Sequence, residues 1–195
     1  LGLLGCASIA RRHMIPAAIE LGLFDLVAVA SRDKNKGEKF GAQFRCENVT
    51  GYETLVKRAD LDAIYIPLPV GLHHRWTRRC LEEHKHVLVE KSFVPDLASA
   101  QDLTSLASAN NLVIMENFAF LFHSQLKYVQ QLIRCNEIGD VRSFRSAFGF
   151  PPRSSGDIRY DRSLGGGALL DAGTYTLRST QTFLGSDLTV KSASL

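Results

Sequence analysis

The chain opens Leu1-Gly2-Leu3-Leu4-Gly5-Cys6-Ala7-Ser8-Ile9-Ala10: four residues fit for a buried strand, a turn of small residues, then the start of a helical pattern. That pattern runs over 9–20 and is closed by Gly22, the residue type that most readily continues past a helix end. The same alternation extends outward from this opening. Strands are expected at 26–30, 62–66, 86–89 and 112–115, and helices at 33–44, 52–58, 72–83 and 98–109. Strands that alternate with helices need crossovers, which makes the fold class α/β with a doubly wound parallel sheet.

After Asn117 the texture changes. A helix is expected at 125–135 and an exposed-face strand at 141–150, followed by a Pro-, Gly- and Ser-rich loop at 151–156. Gly165-Gly166-Gly167 opens a helix over 168–184, and 187–194 reads as a strand. The chain therefore divides into 1–117 and an α+β part, 118–195, with few strands left for a sheet of its own.

At 195 residues, 45% apolar and 22% charged, the chain has the balance of an ordinary globule and needs no staple to hold a core. Lys and Arg number 23 against 20 acids, and the densest basic pairs, Arg11-Arg12 and Arg78-Arg79, form no stripe, so nucleic acid is not an expected partner. The four cysteines, Cys6, Cys46, Cys80 and Cys135, are far apart and read as reduced thiols of a cytoplasmic protein. His74, His84, His86 and His123 show no ligand spacing backed by a carboxylate, and no metal site is expected. No apolar run approaches the ~18–20 residues that span a bilayer, so no membrane association is expected.

Gly5-x-Ala7-x-x-Ala10 lies where a dinucleotide fingerprint belongs. Such a site needs a tight turn at the first position, close backbone approach to a pyrophosphate at the second, and close helix packing at the third. The same residues also suit a plain strand-to-helix turn. The second strand ends Ala30-Ser31-Arg32, where an NAD-binding unit usually places an acid on the ribose 2′-hydroxyl. A hydroxyl and a guanidinium fork suit a 2′-phosphate instead, so NADP is the expected cofactor.

Four segments together resemble the Gfo/Idh/MocA oxidoreductases. They are Gly5-Cys6-Ala7-Ser8-Ile9-Ala10, Ile66-Pro67-Leu68-Pro69-Val70-Gly71-Leu72-His73, Val87-Leu88-Val89-Glu90-Lys91 and Gly165-Gly166-Gly167-Ala168-Leu169-Leu170-Asp171-Ala172-Gly173. Glu116-Asn117-Phe118, His123-Ser124-Gln125, Ile158-Arg159-Tyr160 and Asp171-x-Gly173-x-Tyr175 look closest to the sugar-nucleotide 3-ketoreductases of that family. NADP-linked xylose dehydrogenases and dihydrodiol dehydrogenases share the Lys and Tyr pattern. The resemblance implies a Rossmann domain followed by a mostly antiparallel sheet domain used for substrate binding and oligomerisation, in a dimer or tetramer. It also implies cofactor contacts from Gly5, Cys6, Ala7, Ser8, Ile9, Ser31, Arg32, Leu68, Pro69, His73, Glu90 and Lys91. For His73, capping of a helix N-terminus is the rival reading. Three departures stand out. Ala7 replaces a usual glycine, Ser92 replaces the proline after Glu90-Lys91 and is expected to loosen the turn that aims the lysine, and family chains are longer, continuing with further sheet strands and a returning helix.

A carbonyl reductase must supply a proton and steady a developing alkoxide while the cofactor supplies hydride. Lys91 follows the strand 86–89 at a carboxyl end of the sheet, where open α/β sheets bind ligands. Its ammonium is expected to bind the carbonyl oxygen and to depress a neighbouring tyrosine's pKa. Tyr175, where most relatives carry histidine, is the general-acid candidate, and Asp171 is expected to orient it or the substrate. Asp171, Tyr175, Arg178 and Thr182 share one helix face, which without the resemblance would read as a solvated stripe. Asn117, Arg159 and Tyr160 are the substrate-binding candidates, with Arg159 and Tyr160 suited to grip a nucleotide diphosphate. The function this implies is NADP-dependent reduction of a keto group on a sugar or sugar nucleotide. The alternatives are an aldose or dihydrodiol dehydrogenase, a non-catalytic NADP-binding regulator, and an NAD-dependent glycosidase of the same fold.

Overall fold

Six short parallel strands, in the order β3-β2-β1-β4-β5-β6, form the centre of the computed structural model, which describes residues 1–194. They are β1 (Gly2–Leu4), β2 (Ala28–Ser31), β3 (Glu47–Thr50), β4 (Ala63–Ile66), β5 (His86–Glu90) and β6 (Ile114–Asn117). The order reverses at β1, so the crevice between the carboxyl ends of β1 and β4 is the topological switch point, where such sheets take their ligands. Leu195, the last residue of the expected 118–195 part, lies outside the described residues.

The strands read as near-continuous apolar runs because both faces of the sheet are covered. On one side Leu4, Ala30, Ile64 and Ile66 pack with Leu55, Trp76, Leu81 and Leu103 from α3 (Tyr52–Val56), α4 (His73–Glu82) and α5 (Leu97–Ala109). On the other, Leu3, Val29 and Tyr65 meet Ala10, Ile15 and Phe40 from the first helical segment and from α2 (Lys34–Phe44). Capping sets the helix starts. Asp33 accepts from the Lys36 amide at 3.1 Å and Asp96 from the Ser99 amide at 2.8 Å.

The structure corrects the sequence reading in two places. The strand β3 was not expected: Glu47-Asn48-Val49-Thr50 is polar, and as an edge strand it buries only Val49, yet it pairs with β2 along its whole length. The segment 9–20 is helical as expected, with a π-helical turn, Ala10–Met14, running without a break into α1 (Ile15–Leu21) and Gly22 at φ 64° as the closing residue. The segment 168–184 is also helical throughout, a π-helical turn, Leu169–Gly173, running into α7 (Thr174–Leu184). Finally, 141–150 and 187–194 are not strands. A strand is stabilised by its cross-strand neighbours, and no described residue pairs with either segment, so the antiparallel sheet implied for this half has no ladder here. The other regular elements after β6 are α6 (Ser124–Arg134) and three 3₁₀ turns, Ala119–Phe122, Ile158–Tyr160 and Arg162–Leu164.

Candidate active site

The fingerprint turn leaves β1 with Gly5 at φ 95°, a conformation that suits glycine. A β-carbon there would also sit 2.9 Å from the end of the Leu68 side chain, which would have to move aside for it. Ala7, Ser8 and Ile9 then line one wall of a cavity of about 520 Å³, and the first helical segment begins with no side-chain cap on its free amides. Its other walls come from Pro67–Val70 after β4, Glu90 and Lys91 at the end of β5, and Phe148, Phe150, Arg153, Arg159, Asp171 and Tyr175 from the second half.

Lys91 and Asp171 meet in this cavity. Lys91 Nζ donates to Asp171 Oδ1 and to the Asp171 carbonyl, both at 2.8 Å. The other carboxylate oxygen, Oδ2, accepts from Arg159 Nε at 2.7 Å, and Arg159 Nη1 reaches Asp157 at 3.1 Å. Burial works against the charged form of Asp171, but Lys91 and Arg159 outweigh it and hold its carboxyl below the ordinary range.

Tyr175 lies one helical turn further on, its ring centroid 5.0 Å from Lys91 Nζ. Phe118, Phe120 and Phe148 pack around that ring at 5.7, 5.6 and 5.0 Å. The expectation that Lys91 depresses the phenol's pKa is corrected. Burial pushes Tyr175 up, and the carboxylates of Glu90 and Asp171 push the same way. The ammonium faces the ring rather than serving the hydroxyl alone, and its charge is shared with Asp171. Arg178 and Thr182, on the same expected face, do not line the cavity.

Three further candidates are placed differently from expectation. His73 neither lines the cavity nor caps a helix. It is fully buried, with Nδ1 2.8 Å from the Ser92 carbonyl and Nε2 2.7 Å from that of Leu68, so it bolts the loop after β4 to the loop after β5. Asn117 is buried and gives its Nδ2 to Glu90 Oε1 at 2.6 Å, the same oxygen that accepts from Tyr65 at 2.6 Å. It therefore fixes Glu90 instead of reaching the cavity. Tyr160 is exposed and outside the lining, its hydroxyl accepting from the Arg153 amide at 3.0 Å.

Ser92 does not loosen the turn. Its hydroxyl donates to the Leu170 carbonyl at 2.7 Å, a bond that proline could not make. At the far end of the crevice, Gly5, Cys6, Ser31 and Arg32 stand at the ends of β1 and β2, outside the cavity lining. Ser31 is buried with Oγ accepting from the Asp33 amide at 3.1 Å, whereas Arg32 is exposed and makes no ion pair among the described residues. A narrow glycine turn, uncapped amides and an exposed guanidinium with no carboxylate partner among the described residues, beside the Tyr52 hydroxyl, fit a phosphorylated dinucleotide. Phe148, Phe150, Arg153 and Asp157 were missed from sequence. Phe148 and Phe150 fell in the alternation read as an exposed-face strand, and Arg153 and Asp157 lie in and just after a loop to which no role was given.

Parallel sheet, fingerprint turn and a cavity at the switch point define a Rossmann-type protein with a second unit closing over the ligand crevice. Residues 1–118 match the oxidoreductase family with NAD-binding Rossmann fold, and 126–195 match the GFO/IDH/MocA C-terminal domain. The chain belongs to the Gfo/Idh/MocA oxidoreductase family. It is 47% identical over 194 residues to a dTDP-3,4-didehydro-2,6-dideoxy-alpha-D-glucose 3-reductase of Saccharopolyspora spinosa, covering 100% of this chain and 58% of that one. A 3-ketoreductase from Actinomadura kijaniata, solved with NADP and TDP-benzene, is 43% identical with a TM-score of 0.93, covering 94% of this chain and 57% of that one. Structures of the same reductase altered at one tyrosine (43% identical, TM-score 0.93, covering 95% and 57%) and at one lysine (40%, 0.87, covering 94% and 55%) match as well. The chain thus spans a little over half the length of the relatives it matches.

Proposed function

We propose that this chain forms the cofactor-binding and proton-donating part of an NADP-dependent oxidoreductase that reduces a keto group on a nucleotide-linked sugar. The observation that carries the reading is the convergence of Lys91 from the first half of the chain and Asp171 and Tyr175 from the second on the cavity that the fingerprint turn also lines. The likeness to dTDP-sugar 3-reductases supports the substrate class. In the Actinomadura enzyme the altered lysine and tyrosine are separated by the same number of residues as Lys91 and Tyr175, which supports the pair.

NADPH supplies the hydride when bound. The residues to hold it are Gly5 to Ile9, Leu68, Pro69, Glu90 and Lys91, with Ser31 and Arg32 at the 2′-phosphate. Tyr175, kept protonated at neutral pH by its buried surroundings, donates a proton to the substrate's carbonyl oxygen as negative charge gathers there. Lys91, fixed by Asp171, stabilises that oxygen electrostatically. Residues 1–117 act as the cofactor unit and 118–195 as the substrate and oligomerisation unit. Exposed Tyr128, Leu177 and Leu184 on α6 and α7 support a homo-oligomer, and four free cysteines support a cytoplasmic setting. No helix among the described residues is long and apolar enough to cross a membrane.

The test is NADPH absorbance with a dTDP-linked 3-keto sugar, beside a second cuvette holding NADP⁺ and xylose. Turnover in the first is expected. Turnover only in the second would transfer the protein to the aldose dehydrogenases, and silence in both would overturn the oxidoreductase reading.

A further inference from the structure

We propose that Arg159 is a positioning residue: it holds the Asp171 carboxylate in the orientation that fixes Lys91, and its charge is committed inside the site, not to the ligand. This rests on the reading of Lys91 and Asp171 given above. The two oxygens of Asp171 are divided between two cations, Oδ1 on Lys91 at 2.8 Å and Oδ2 on Arg159 at 2.7 Å. Asp157 stands behind Arg159, taking Nη1 at 3.1 Å. The result is a chain of alternating charge, Lys91–Asp171–Arg159–Asp157, in which neither carboxylate is free to rotate.

The backbone is built to hold this chain. The Gly167 amide donates to the Arg159 carbonyl and the Gly166 amide to the Asp161 carbonyl, both at 2.9 Å. A β-carbon on Gly166 would lie 2.6 Å from the Arg159 carbonyl oxygen and 2.7 Å from that of Asp161. The triple glycine thus lets the turn Ile158–Tyr160 lie flat against the start of the π-helical turn that carries Asp171. The neighbouring Arg153 shares the Phe150 ring with Arg159, their guanidiniums 5.0 and 5.8 Å from its centroid, and both line the cavity. Arg153 differs in making no ion pair among the described residues, which leaves its charge to an anionic ligand.

Without Arg159, Oδ2 of a partly buried carboxylate loses its donor and the group can turn away from Lys91. The charged groups around Asp171 are Lys91 from the end of β5 and Arg159 from the preceding turn. Tyr175 lies on its own helix, Asp157 behind Arg159, and Glu90 lines the same cavity. Loss of Arg159 removes one of the two cations that hold Asp171 ionised.

The experiment compares the wild-type protein with Arg159→Gln, Arg159→Lys and Asp157→Asn, using NADPH and a dTDP-linked 3-keto sugar. For Arg159→Gln, kcat is expected to fall at least about tenfold with both KM values within about twofold, and the acid limb of the pH profile to move to higher pH. Arg159→Lys restores part of the loss, and Asp157→Asn gives a smaller loss in the same direction. A raised KM for the nucleotide-linked substrate with kcat retained, or no change at all, overturns the proposal. Carboxyl-carbon NMR of the Asp side chains, with Asp171 assigned from Asp171→Asn, decides the matter independently of turnover. An Asp171 titration moved to higher pH in Arg159→Gln supports the proposal, and an unmoved one overturns it. A wild-type protein without turnover would instead count against the function reading alone.

Discussion

The Ser92 hydroxyl donates to the Leu170 carbonyl at 2.7 Å, joining residues 78 positions apart and clamping the loop that aims Lys91 to the turn that carries Asp171. The Ser92 end of the bond is itself secured, since the Ser92 carbonyl lies 2.8 Å from buried His73. Ser92→Ala leaves a partly buried carbonyl without its donor, a loss of about 1–2 kcal/mol. Thermal unfolding should register that decrease, and kcat should fall with KM for NADPH retained. An unchanged kcat would show that Lys91 is aimed by Asp171 alone.

Tyr175→Phe removes the proposed proton donor and keeps the ring that Phe118, Phe120 and Phe148 enclose. General acid catalysis contributes roughly 10²–10⁴-fold, so kcat should fall by that order while NADPH binding, read by fluorescence titration, stays the same. Because burial raises the phenol, its ionisation in the wild type should begin above the ordinary value of about 10. The difference between wild-type and variant ultraviolet titrations checks this.

His73 links proton uptake to stability. Burial depresses its imidazole below the ordinary 6.5, against the pull of the Leu68, Ser92 and Phe93 carbonyls. As pH falls through about 6.5 the unfolded chain therefore takes up this proton before the folded one, and stability decreases; above that value the contribution is complete and constant. Melting temperature should drop between about pH 6.5 and the lower folded value more steeply in wild type than in His73→Asn. Parallel curves would contradict the assignment.

Arg32 is exposed just past the end of β2, its guanidinium beside the Tyr52 hydroxyl and with no ion-pair partner among the described residues. Arg32→Ala should raise KM for NADPH about tenfold or more, the equivalent of ~1.4 kcal/mol, and leave KM for NADH nearly unchanged. Equal effects on both cofactors would place the 2′-phosphate elsewhere.

The parallel sheet was legible because Leu3, Val29, Ile64 and Val87 belong to runs that only a strand covered on both faces requires. The strand Glu47–Thr50 was not, since an edge strand needs few apolar residues and its partner β2 supplies the pairing. The alternation over 141–150 looked like a strand, but alternation shows only that one face could be buried, not that anything lies beside it. The site divides in the same way. Lys91 at a strand end and the Gly5 turn follow from local pattern. The bond between Lys91 and Asp171 joins residues 80 positions apart, and no local spacing reveals it; the sequence reading had Asp171 orienting Tyr175 or the substrate. His73, Asn117 and Tyr160 were misplaced because sequence shows that a polar side chain is near a site but not which way it turns.

The bond between Lys91 and Asp171 makes the proposed chemistry a property of docking. The glycine turn and the crevice between β1 and β4 belong to the first half of the chain, whereas the carboxylate and the phenol beside Lys91 come from the second. On the function proposed above, anything that parts the two halves would leave the cofactor wall standing and strip Lys91 of both partners.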